Sequence, residues 1–174
     1  MSCIRMTVLA VVVLIGGASK SSAALAQPAE FGLDAITPGL EPTVNINFGS
    51  AMMAGFSASV ATSNKDMSTL LDSITRLRLM VFEEFTASAD FTKRLNVAID
   101  QLTSTGWSQA LRVREDGELV DLFVIEDGEI FTAMALVVQE QGEALVLANV
   151  RGQIDPALVG KLISEGSFLD GFDF

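Results

Sequence analysis

Carboxylates, arginines and three lysines are the reactive side chains this chain offers beyond its first 26 residues. Those first residues hold the only cysteine, Cys3, and histidine and tyrosine are absent throughout. The usual general base, thiol nucleophile and phenolic acid are therefore missing, as are the nitrogen and sulfur ligands of zinc, copper, haem and iron–sulfur sites. Three chemistries remain: serine activated by lysine, paired carboxylates, and oxygen-only cation binding. The first needs the S-x-x-K spacing that sets an amine one helical turn from a hydroxyl. Lys65, Lys93 and Lys161 all lack that serine and read as solvated charges. Calcium takes six or more hard oxygens. The turns Glu115-Asp116-Gly117-Glu118 and Glu126-Asp127-Gly128-Glu129 each supply three carboxylates, but without the alternating acids and distal glutamate of an EF-hand loop. Acids beside Asp-Gly are ordinary hairpin chemistry. Glu83-Glu84 is the one adjacent acid pair outside the turns, and neighbours on a strand point to opposite faces. No catalytic residue, metal ligand or cofactor site is assigned, and stability is expected to be independent of metal.

Three further groups could bind rather than react. Arg76 and Arg78 share one face of an apolar stretch, and Arg112 and Arg114 share one face of another. If those strands were neighbours, four guanidinium groups would form an anion patch; the plainer expectation is cross-strand pairing with Asp121, Glu83 or Glu115. Met52, Met53, Phe56 and Met80 are adaptable apolar side chains that would line a pocket between sheet and helices. Phe168, Phe172 and Phe174 form an aromatic, acidic tail over 167–174, which either folds back on its own domain or is offered to a partner.

Positioning these groups requires an α+β domain. Val44, Ile46 and Phe48 alternate with Asn45 and Asn47, the period of a strand with one buried face. Gly49-Ser50 ends it, and Ser50 can cap a helix bearing Met52, Met53, Phe56 and Val60. Asp66 is the candidate cap of a second helix carrying Met67, Leu70, Leu71 and Ile74. Residues 76–82 return to period two. A third helix from Ser88 or Asp90 turns Phe91, Leu95, Ala98, Ile99 and Leu102 inward and stops at Gly106. Four apolar runs then follow over 107–114, 119–125, 130–138 and 144–150, joined by short Gly-containing acidic turns, and Asp-Gly between such runs is a strong hairpin signal. Asp155-Pro156 opens a last helix with Leu158, Val159, Leu162 and Ile163 on its buried stripe. The expected order is β-α-α-β-α-β-β-β-β-α, a mostly antiparallel sheet with a C-terminal four-stranded meander and helices packed on one face.

The front of the chain fixes the expected compartment. Arg5, the apolar run Met6–Ile15 and the small-residue site Ala24-Leu25-Ala26 follow the order of a cleavable export signal. The run is shorter than the about 20 residues that span a bilayer. Cleavage after residue 26 removes two cations and no acid from a chain of formal charge −11. Such an acidic surface repels phosphate backbones and anionic lipid. Nucleic acid is therefore not an expected partner, and no membrane span is expected after cleavage. Three of the four prolines fall in 27–42, which reads as a flexible leader before one domain over 43–166.

The exported leader, Val44-Asn45-Ile46-Asn47-Phe48, the stretch 76–82, Gly106-Trp107, the two Asp-Gly-Glu turns and the closing Ala148-Asn149-Val150-Arg151-Gly152-Gln153-Ile154-Asp155 resemble the bacterial domain-of-unknown-function family 4252. The resemblance implies an exported bacterial protein with no assigned activity and brings no catalytic residues. Together these readings lead to a non-enzymatic, periplasmic or secreted interaction domain of the bacterial envelope, with a protein partner or a second copy at a free sheet face or edge. A carrier of small apolar ligands is the alternative, and a hydrolase using carboxylates alone is the third.

Overall fold

The computed structural model of the protein describes residues 31–115 and 117–164, with the backbone alone at 162–164. In chain order the elements are α1 (Leu33–Ile36), β1 (Val44–Gly49), α2 (Ser50–Val60), α3 (Lys65–Ser73), β2 (Ile74–Glu83), α4 (Ala89–Ser104), β3 (Ser108–Glu115), β4 (Glu118–Asp127), β5 (Ile130–Glu140), β6 (Ala144–Ile154) and α5 (Pro156–Ser164). The strands form one six-stranded sheet in the order β1-β2-β6-β5-β4-β3, antiparallel at every step. This is the α+β class expected, and β3 to β6 are the expected meander. Gly128, between β4 and β5, has φ +66°, the left-handed conformation that makes glycine the favoured residue in such a turn.

The larger core lies between one sheet face and α4. Phe91, Leu95, Ile99 and Leu102 of that helix pack on Met80, Phe82, Phe123, Ala135, Val137, Leu145 and Leu147. Ser88 caps α4 by accepting from the Phe91 amide at 3.1 Å, which satisfies one of the helix's unpaired donors. Phe85 meets Phe91 edge-on, ring centroids 4.8 Å apart.

The proline-bearing leader is not a free segment throughout. Phe31, Leu33 and Ile36 are 2%, 0% and 0% exposed and belong to the main core. Arg94 donates its Nε to the Ile36 carbonyl at 3.1 Å, and Asp34 forms a two-bond fork with Arg78 at 2.7 and 2.5 Å. The expectation that order begins at Thr43 is thus corrected. Three apolar side chains within six residues are enough to seat the short α1 against α4, and prolines do not prevent it.

On the other sheet face α3 and α5 cover one end. Met67, Leu70, Leu158 and Val159 pack with Ile74, Val124, Met134, Val150 and Ile154. Two caps differ from expectation. Asn64, not Asp66, accepts from the Met67 amide at 2.9 Å. Gly49 holds the cap position of α2 with no side-chain bond, and Ser50 is already helical. Asp155 caps α5 as expected, accepting from the Ala157 amide at 2.8 Å. The α2 stripe is also rotated: Met53 and Ser57 are buried, while Met52 and Phe56 are 52% and 42% exposed. The reason is Ser57, whose hydroxyl donates to the Ser68 carbonyl at 3.0 Å and lies 2.9 Å from the Ser68 hydroxyl. That buried polar contact clasps α2 to α3.

Candidate interaction surface

The strands place two apolar rows, side by side, on the sheet face that α4 does not cover. Direct cross-strand partners give one row made of valine alone: Val44, Val81, Val146, Val138, Val120 and Val113, one from each strand. The next row, two residues along, is Ile46, Leu79, Ala148, Leu136, Leu122 and Leu111. A third, Phe48, Leu77, Val150, Met134 and Val124, runs towards α3 and α5, and Phe48 meets Phe56 of α2 with ring centroids 5.3 Å apart. All six valines are half-buried. β5 and β6 have strands on both sides, so what exposes Val138 and Val146 is the space above the sheet that the described residues leave open. Their neighbours on the α4 face, Val137, Leu145 and Leu147, are 0% exposed. At about 4.8 Å between strands and about 3.3 Å per residue, the two uncovered rows span roughly 300–400 Å². That is the scale of the largest apolar patch on an ordinary monomer, which is often a functional one.

A line of acid borders this patch. One step beyond the valines, in the same register, stand Glu83, Ala144, Glu140, Glu118 and Glu115. Period two in a strand puts these on the valine side of the sheet, and no register shift intervenes. The Glu140 carboxyl titrates above its ordinary 4.5, first because its surroundings strip water from it and then because Glu143 and Glu118 crowd it with negative charge. Among the described residues no three acids converge as metal ligands, so the glutamates form a line and not a cage.

The four arginines singled out in the sequence are not together. β2 and β3 stand four places apart in the sheet, about 19 Å at the usual strand spacing, so a single patch of Arg76, Arg78, Arg112 and Arg114 does not form. Arg112 faces Asp121 across the β3–β4 ladder and holds it at 2.6 and 3.3 Å. Gln109 adds a bond at 2.7 Å, and Arg114 stands 4.0 Å away. Asp121 is fully buried, and this is the cross-strand pairing expected of Arg112. Arg76 and Arg78 instead join Asn149 and Arg151 of β6 around a pocket of about 10 Å³ closed by Phe31. Room for about one water is all that volume gives. Hydrogen bonding to Arg78 holds the Asp34 carboxyl below its ordinary value. Asn149 and Arg151 carried no periodic signal of their own; only the β2–β6 pairing, which joins distant parts of the chain, brings them to Arg76 and Arg78.

The four residues named for an apolar pocket divide between the two sheet faces. Met80 lies opposite Asn45, in the α4 core, whereas Phe56 packs on Phe48 across the sheet. A shallow groove of about 360 Å³ along α4 is lined by Ala35, Val97 and Ala98 among mixed charges. Phe168, Phe172 and Phe174, the proposed tail, lie outside the described residues, as do residues 1–30. No helix among the described residues is long and apolar enough to cross a membrane.

An antiparallel sheet backed by one long helix, with an apolar opposite face, defines a small α+β domain. The family model of the domain of unknown function DUF4252 matches residues 41–162, well over half the chain, and the chain belongs to that family. Among curated proteins none matches.

Proposed function

We propose that this chain is a non-enzymatic interaction domain, exported to the bacterial envelope, which presents its uncovered sheet face to a partner. The observation that supports it most is the all-valine row with the aliphatic row beside it, half-buried except at Ala148, on strands whose alternate residues pack in the core. Eleven partly exposed aliphatic side chains on one face would favour self-association, and a partner that covers them removes that tendency. Export is supported by the order of Arg5, the apolar run and Ala24-Leu25-Ala26.

A photo-crosslinking residue in place of Val138, installed in the producing cell, tests the surface. One discrete adduct is expected at Val138 and none from the exposed Gln101 on the outer side of α4. Equal labelling from both positions, or none from Val138, would remove the sheet face from consideration. Intact mass of the same material is expected to show a chain beginning at Gln27, and a full-length mass would refute export with cleavage.

A further inference from the structure

The acid row narrows what the sheet face accepts. We infer that its occupant is a short amphipathic protein segment whose apolar side chains rest on the valine and leucine rows and whose lysines or arginines meet Glu140, Glu118 and Glu115 at the border; this rests on the reading of that face as a docking surface.

Three observations favour such a segment over other occupants. Glu140, Glu118 and Glu115 stand in one row along the valine edge of the patch, while the opposite edge runs under α3 and α5, so the complementary surface is apolar with basic groups on the valine side. Glu140 is already crowded by Glu118 and Glu143, and a partner cation relieves that repulsion, whereas a neutral ligand leaves it in place. A second copy fits poorly. Two faces of roughly 300–400 Å² bury less than the about 1,200 Å² of a small stable interface, and both copies carry the chain's formal charge of −11. A free lipid or small apolar ligand makes no use of the acid row.

Two synthetic peptides of equal length and apolar content, one built from leucine and lysine and one from leucine and glutamate, are titrated into the purified protein by fluorescence anisotropy at low and high salt. The lysine peptide is expected to bind at least ~10-fold tighter and to lose that advantage at high salt, since exposed charge pairs are screened. The triple variant Glu115→Gln, Glu118→Gln, Glu140→Gln is expected to bind it ~10-fold more weakly, the scale of three exposed charge pairs. Leu136→Asp is expected to abolish it. Should that substitution disturb folding, Val120→Thr with Val138→Thr keeps the shape and removes apolar surface.

If both peptides bind alike, depend on Leu136 and ignore the glutamine variant, the face docks partners but the acid row does not select them, and the present inference falls alone. If binding ignores Leu136 and the valines, the docking face itself is wrong. If lysine-peptide binding emerges only after residues 165–174 are deleted, the chain's own tail is the occupant. A dimer that dissociates on Leu136→Asp makes it a second copy. Either result overturns the inference, as does failure of the lysine peptide to bind any form.

Discussion

A methyl group at Gly152 would sit 2.1 Å from the Ser73 carbonyl oxygen and 2.9 Å from the Ile74 Cα. Both neighbours are backbone, at the junction where α3 runs into β2, so neither can swing aside. The register shift between Ile74 and Arg76 falls at this same contact. Gly152→Ala is expected to destabilise by about 1–3 kcal/mol or more, the scale of overpacking, seen as a lower urea midpoint with an unchanged slope. A midpoint equal to the parent's would show that the two backbones are not pressed together. Charge acts at the same scale on Glu140. A carboxyl whose folded value is raised contributes stability that is full below its unfolded value and lost as pH rises through the folded one. Glu140→Gln removes the charge that the crowd of acids resists. The variant should melt above the parent at pH 7, and the gain should vanish below about pH 4. A gain that persisted in acid would point to packing and not to charge.

Elements show where sequence patterns carry and where they stop. The meander was legible because each run is rich in Val, Ile, Leu and Phe and each turn has a glycine at its tight point, features that neighbouring residues alone determine. The stripe of α4 was legible for the same reason: Phe91, Leu95, Ile99 and Leu102 recur at helical spacing, and all are buried. On α2 the apolar residues surround the helix too evenly to choose a face, and the choice falls to Ser57, a polar residue whose partner Ser68 lies on another helix. The docking rows were half visible. Every valine could be placed on a strand, but aligning six of them needs the β2–β6 pairing, which no local signal specifies. The first segment erred in the opposite direction, since its prolines hid the apolar residues between them. Because Ile36 is wholly buried against the α4 core, Ile36→Ala is expected to cost about 2–5 kcal/mol in a denaturant titration. A change within about 0.5 kcal/mol, as at a surface position, would return the segment to the role of a loose leader.

For the whole molecule the sheet is a wall with two unlike sides. One is packed under α1 and α4; the other is apolar and, among the described residues, helix-covered only at one end, so the two sides should answer differently to the same insult. Leu136 and Val137 are adjacent on β5, share its backbone and differ in the side they face. Val137 is 0% exposed, and Leu136 is half-buried in the open row. Val137→Asp places a carboxylate in the core without a partner, the kind of change that exceeds about 4–5 kcal/mol and leaves little folded protein. Leu136→Asp leaves its carboxylate in reach of water and should cost about 1 kcal/mol, the span of strand preferences at a partly exposed site. It should also make the protein less prone to associate at high concentration, since it breaks the apolar patch. Thermal melts of the two variants, with light scattering of the second, check this pair. Equal destabilisation would mean that the face is covered in the folded chain, and that the surface on offer lies elsewhere, at the edge strands β1 and β3, whose outer backbone groups have no neighbouring strand among the described residues.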